Sequence, residues 1–281
     1  MAIQEGASTS AAQMLAAIDE LLWYHVIDVA PGVTTPGWFD LRHALDLIPF
    51  PEVRGKRCLD IGTWDGFYAW ELERRGAAEV VAVDLPDLVD IDWTPEALAN
   101  PEFDPSQEGK QARPAGFNLI KELTGSNVIW RGESVYDLDR ESIGTFDLVV
   151  CGSLLVHLRD PVRALDAVRR VTSGSFLSID YVHAPLNLLN VLAGGRPIFE
   201  LRGKSRDFQW WLASDAGFRH LLDVAGFKVE RASKPFLLRP GRPEPIAGVR
   251  PRFRQALNWT LTRDTTPGGH LHRAYLTSPR F

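Results

Sequence analysis

Two acidic side chains and two glycines, spread over one strand, loop, helix and strand, are the residues of this sequence best spaced to hold a ligand. The run Cys58-Leu59-Asp60-Ile61-Gly62-Thr63-Trp64-Asp65-Gly66-Phe67 carries an apolar strand through Asp60 into Gly62, and Gly66 opens the following helix. Glycines at such a turn let the backbone bend tightly and come close to a bound molecule. A phosphate-binding loop needs Gly-Lys-Ser/Thr, and the dinucleotide fingerprint needs G-x-G-x-x-G. Neither stands here. The next strand, Val80 to Asp84, ends in a carboxylate 18 residues after Gly66. A carboxylate there can accept both hydroxyls of a ribose, as the acidic residue of dinucleotide folds does; an Asp ending a strand is also an ordinary turn residue. Three histidines compete as proton acceptors, since imidazole titrates near neutral pH without large perturbation. His157 and His183 fall where loops face a ligand, ahead of His25, and each has a structural reading as well.

The elements that must position these groups follow from periodicity. Short apolar strands at Arg57–Ile61, Val80–Asp84, Asn127–Arg131, Phe146–Cys151 and Ser175–Asp180 alternate with amphipathic helices, as in a parallel sheet covered on both faces. Asp65 to Arg75 reads as a helix closed by Gly76, and Asp160 to Val171 as one with Asp160 as N-cap and Pro161 in its first turn. Ser214 to Ala225 is a helix ended by Gly226; Phe227–Ala232 and Arg273–Thr277 are strands able to pair antiparallel. Ahead of this core, Ser10 to Trp23 is an amphipathic helix behind a Ser/Thr-rich start. It leads into a Pro- and Gly-broken aromatic stretch, Trp23 to Asp40, that suits a segment folded over a cleft. The division expected is a helical and aromatic cap over residues 1–50 and an α/β domain over 51–281. The insertion at 86–116 is longer than most strand-to-helix connections, and is either a lid or a surface excursion.

The loop Leu59 to Gly66 resembles motif I of the class I methyltransferases, and Phe146 to Pro161 resembles their motif IV with the helix start that follows. With W-Y-H-V-I-D, G-W-F-D and R-R-G-A-A-E-V-V-A-V-D, the stretch from Trp23 to Asp180 is similar to the group related to the bacterial tRNA wobble-uridine carboxymethyltransferase. The resemblance implies a Rossmann-like, doubly wound seven-stranded α/β sheet and S-adenosylmethionine as cofactor, with S-adenosylhomocysteine as product. It further implies that Asp60 contacts the cofactor ammonium, that Gly62, Thr63, Trp64 and Gly66 cradle the amino-acid end, and that Asp84 and Leu85 meet the ribose. Ser134 and Val135 then flank the adenine, with Glu133 as an alternative polar contact, and Cys151 and Gly152 lie at the ligand-binding edge of the sheet. Trp23, Tyr24, His25, Tyr181, Trp210 and Trp211 are the aromatic residues expected to wall an apolar acceptor pocket.

Composition narrows the class. The 281 residues, 45% hydrophobic, suit one large core. No run of about 18 apolar residues and no secretory leader pattern is found, so a cytoplasmic location and no membrane are expected. Cys58 and Cys151 fall in apolar strands and read as reduced core thiols; no His/Cys cluster has zinc spacing, and no metal is expected. Of the net charge of −5, residues 228–281 contribute 11 Lys/Arg against 3 Asp/Glu, which leaves an acidic body. That body argues against a nucleic-acid partner. The function expected is methyl transfer to an oxygen or nitrogen of a small metabolite. The alternatives are modification of the tRNA wobble uridine by a methyl or carboxymethyl group, and a non-catalytic ligand-binding protein of the same fold. The sequence does not fix the oligomeric state.

Overall fold

The computed structural model describes residues 10–100, 114–203, 209–241 and 270–280. Its centre is a mixed sheet of nine strands. In chain order these are β1 Phe39–Asp40, β2 Arg57–Ile61, β3 Glu79–Asp84, β4 Ile129–Gly132, β5 Phe146–Gly152, β6 Thr172–Tyr181, β7 Phe227–Ala232, β8 Phe236–Pro240 and β9 His270–Pro279. Across the sheet the order is β1-β8-β9-β6-β5-β2-β3-β4, with β7 also paired to β9. The five strands from β2 to β6 run parallel, and β9 returns antiparallel beside β6. Seven strands thus take the expected class I order, β4-β3-β2-β5-β6-β9-β7. The additions are β8 and β1, which continue the sheet along the part of β9 that β7 leaves open.

Alternation along each strand separates two cores, as a period of two requires. Val80, Ala82, Leu148, Val150, Leu177 and Ile179 face one side, with α1 (Ala11–Asp19), α2 (Phe67–Arg74) and α3 (Ala115–Thr124) above them. Leu59, Ile61, Val81, Val83, Val149 and Cys151 face the other, against α4 (Pro161–Val171) and α6 (Asp215–Val224). Between these last two in sequence lies α5 (Ala184–Leu192). Cys58 and Cys151 are buried free thiols.

The helix ends obey local chemistry. Ser10 and Gln13 form a reciprocal capping box for α1. That helix stops at Asp19 rather than running to Trp23, because the Trp23 indole folds back to donate to the carbonyl of Ile18 at 2.8 Å. Asp160 caps α4 through the amide of Arg163, and Ser214 caps α6 through that of Gly217. The strand expected at Asn127 begins two residues later. Glu73 takes the Asn127 amide and Lys121 donates to the Val128 carbonyl, so these two groups have side-chain partners instead of a ladder.

Residues 23–40 form a strap across the end of the sheet. The Val26 amide donates to the Phe39 carbonyl and the Phe39 amide to that of Tyr24, at 2.8 and 2.9 Å. Thr35 Oγ1 bridges inside the loop, donating to the His25 carbonyl and accepting from the Ile27 amide. The strap passes so close to itself at Gly37 that an added Cβ would sit 2.0 Å from the carbonyl carbon of His25. Gly37→Ala should therefore unseat the strap and cost about 2–4 kcal/mol, read as a lowered melting midpoint in a thermal scan.

Candidate active site

The site lies where β2 is flanked by β3 on one side and β5 on the other, the point at which a doubly wound sheet opens a crevice beyond the carboxyl ends of its strands. After Ile61 the chain must turn from strand into α2 within a few residues. Gly62 at φ 69°, Trp64 at φ 50° and Gly66 at φ 94° make that turn in left-handed conformations. At Gly66 a Cβ would also fall 2.4 Å from the Trp70 indole nitrogen, so glycine is required twice over. Trp64 has no such freedom. Its amide donates to Asp84 Oδ2 at 2.7 Å, and its ring lies 5.0 Å from that of Tyr24, which holds the strained backbone in place.

Asp84 has two tasks. Oδ2 braces the loop at Trp64, while Oδ1 accepts from the Leu85 amide at 2.8 Å. The carboxylate borders a cleft lined by Gly62, Trp64, Asp84, Leu85, Glu133, Ser134, Val135, Tyr136, Gly152, Ser153 and His157. Tyr24 and His25 of the strap and Asp90, Ile91 and Asp92 of the insertion close it. Asp92 is pinned from three directions: its carboxylate accepts from Tyr136 Oη and the Arg159 amide, and its carbonyl accepts from the Trp210 indole. Residues 90–92 of the insertion thus border the cleft, and residues 101–113 of the insertion fall outside the described residues.

Not every residue expected at the ligand lines this cleft. Asp60 is 1% exposed beneath the loop and accepts from Thr63 Oγ1 at 2.6 Å and the Ala69 amide at 3.1 Å. Thr63, Cys151 and Gly66 are likewise buried and outside the cleft lining. The aromatic wall divides. Trp23 is a core residue under α1, because its indole is spent on the Ile18 carbonyl. Tyr181 and Trp211 border a second, apolar cavity between α4 and α6, and Trp210 backs the insertion through Asp92. His183 is buried at the start of α5, outside both cavities, while His157 and His25 line the first.

Sequence reasoning missed three partners. Asp92 lies in an insertion with no motif, and Asp65 reads as a helix start. His272, on β9, meets Ser153 from the far end of the chain: its Nε2 is 3.0 Å from Ser153 Oγ and its Nδ1 3.0 Å from the His270 carbonyl. Burial pushes His272 down to about 4, so the ring stays neutral, with Nδ1 donating and Nε2 accepting the hydroxyl proton of Ser153. Burial also pushes the Asp60 and Asp180 carboxyls up to about 7.

A family model described as a methyltransferase domain matches residues 39–231. The chain belongs to the methyltransferase-domain family. It is similar to the ubiquinone biosynthesis O-methyltransferase of Xylella fastidiosa, 27% identical over 221 residues that cover 70% of this chain and 78% of that one. Its likeness to the enzyme of the same name from Xanthomonas oryzae is 31% over 121 residues, 43% of this chain and only 40% of the relative's length. The YcgJ protein of Bacillus subtilis shares the fold at a TM-score of 0.51 and 18% identity, covering 85% of this chain and 99% of that one.

The residues of this methyltransferase domain fit S-adenosylmethionine. The Asp84 carboxylate stands at the cleft where a ribose can reach it, the cleft lining brings together Trp64, Tyr24, Asp84 and Glu133 around a space suited to a cation, and none of the described lining residues is a Lys or Arg that a phosphate would need. Asp84→Ala should therefore weaken S-adenosylhomocysteine binding by about 1.5–3 kcal/mol in calorimetry, as for other hydrogen bonds to a charged group.

A second expectation concerns pH. Because the folded state holds a proton on Asp60 that the unfolded chain releases near 3.8, this group's contribution is fully present below about pH 4 and is lost as pH rises through about 7. Asp180 acts in the same direction. In Asp60→Asn an amide oxygen can still accept from Thr63 and Ala69. The ligand-free variant should lose less stability between pH 5 and 8 than the parent, by up to about 1.4 kcal/mol per pH unit, measured by urea melts at each pH.

Proposed function

We propose that this chain is an S-adenosylmethionine-dependent methyltransferase acting on an oxygen or nitrogen of a small metabolite. The observation that carries the reading is the cleft itself, in which Asp84 and the Gly62–Gly66 loop stand on one floor with the aromatic strap residues Tyr24 and His25 above them. A bound S-adenosylmethionine supplies a methyl group on a positively charged sulfur, already joined to a good leaving group. The protein's residues then have to bind, orient and dry the reactants. Asp84 and Leu85 would hold the ribose, Ser134, Val135 and Glu133 the adenine side, and Gly62 and Gly152 the amino-acid tail. Tyr24 stays protonated, since burial and then Asp65 and Asp180 raise its phenol, and so its hydroxyl keeps a proton to donate.

Oxygen is favoured over nitrogen by the names of the Xylella and Xanthomonas relatives. Methyl rather than carboxymethyl transfer is favoured by the lining, since an additional carboxylate on the donor would meet Asp84, Asp90, Asp92 and Glu133 without a described Lys or Arg. The tRNA reading has only the basic stretch of residues 228–281 behind it, and residues 242–269 of that stretch lie outside the described residues. None of the described helices is long and apolar enough to cross a membrane. A cytoplasmic location fits two cysteines held as buried thiols.

Calorimetry and label transfer test the reading together. S-adenosylhomocysteine should bind while NAD and ATP do not, and methyl label from S-adenosylmethionine should pass to a small-molecule fraction of cell extract. Binding without any transfer would favour the non-catalytic alternative. Submicromolar tRNA binding at about 150 mM salt, falling steeply as salt rises, would favour the tRNA alternative.

A further inference from the structure

Transfer to a hydroxyl requires somewhere for its proton to go, and the strap supplies a group built for it. Asp65, the residue before the helix-opening glycine, is 2% exposed and turns its carboxylate toward the strap rather than into solvent. The amides of Tyr24 and His25 both donate to its Oδ2 at 2.8 Å. Its Oδ1 is hydrogen-bonded to His25 Nδ1. A carboxylate accepts only, so a proton lies on Nδ1, and in the neutral form of the ring the lone pair is then on Nε2. The ring is held between Tyr24, edge-on at 4.8 Å, and Phe67 at 5.3 Å. His25 lines the cleft, and with Nδ1 taken it is Nε2 that is left for a bound acceptor.

We propose that His25 is the general base of this site, oriented by Asp65, and that the acceptor carries a phenol-type hydroxyl; the proposal rests on the methyltransferase reading above. As the acceptor oxygen's lone pair forms the new bond to the methyl carbon, the carbon–sulfur bond breaks onto sulfur and the hydroxyl proton passes to His25 Nε2. The products are a methyl ether, S-adenosylhomocysteine and an imidazolium beside Asp65, which later returns its proton to solvent. A phenol is the hydroxyl closest in acidity to what an imidazole can deprotonate as a bond forms, whereas an aliphatic alcohol is far weaker. The charged and titratable groups around His25 are Asp65 on the loop, Asp60 beneath it, Tyr24 beside it, and Asp84, Asp90, Asp92, Glu133, Tyr136 and His157 elsewhere in the cleft lining. Asp65 is the carboxylate in contact with the imidazolium that the step creates. His272 is unsuited, because burial depresses it and Ser153 occupies its Nε2.

The test uses the full chain, S-adenosylhomocysteine as the binding probe and catechol as the acceptor probe. Nitrogen NMR of the imidazoles should show His25 as the Nδ1–H tautomer in the parent and lose that signature in Asp65→Asn. His25→Gln should bind S-adenosylhomocysteine within about twofold of the parent, yet methylate catechol about 10²–10⁴ times more slowly and without the acidic limb of the parent's kcat profile. Added imidazole should restore part of the turnover of His25→Ala. A tenfold or greater loss of S-adenosylhomocysteine affinity in His25→Gln would make His25 a cofactor ligand and overturn the proposal. So would undiminished turnover in that variant, or an Nε2–H tautomer in the parent. If the parent binds S-adenosylhomocysteine but does not methylate catechol, the phenol assignment is overturned. If the parent does not bind S-adenosylhomocysteine, it is the methyltransferase reading that fails.

Discussion

Between the last residue of β2 and the first of α2 the backbone has to reverse character in five residues, and the amides it exposes there must find acceptors. The tip of β3 supplies them. Val83 takes the amides of Gly62 and Thr63 through its carbonyl, and Asp84 takes that of Trp64 through its carboxylate. A buried amide left without a partner would cost about 1–3 kcal/mol, so the loop and the carboxylate are bound to one geometry. The same bonds place Asp84 at the rim of the cleft. Ligand site and loop stability are consequences of a single pairing between neighbouring parallel strands.

The strap completes what that pairing begins. Its aromatic side chains cover the loop, and Asp65 reaches up from the loop to two strap amides and one imidazole, so neither segment is free to shift without the other. Asp60 works against this order. It is buried beneath the loop deeply enough for its carboxyl to resist ionising, a cost that the fold carries there. Sites with this balance of strain and burial are where sequences depart from what packing alone would choose.

Much of the fold was legible because strand and helix periods differ and because caps are chemical. Asp160 and Ser214 start the helices they were expected to start, and the parallel strands follow their apolar runs to within three residues. The loop and Asp84 were legible as a constellation, since glycine spacing and a strand-end carboxylate carry local meaning. What escaped was non-local. Nothing in the residues around Asp92 announces that Tyr136, Arg159 and Trp210 converge on it, nor does anything near Ser153 point to His272, 119 positions away. Trp23 and Tyr24 are neighbours of the same chemical kind, yet one is core and the other cleft. That division depends on where the helix before them stops.

The strand pairing at the sheet's far edge bears on when the site can exist. β1 pairs with β8 through Phe39 and Asp40, the amide of Gly241 donates to the Trp38 carbonyl, and β8 is itself anchored on β9, near the end of the chain. During synthesis the loop, β3 and β5 all emerge well before these partners. A nascent chain can therefore assemble the floor of the cleft early, but the strap that holds Tyr24 and His25 has no edge to pair with until some two hundred further residues have been made. The growing polypeptide would pass through a stage in which the cleft has a floor and no cover.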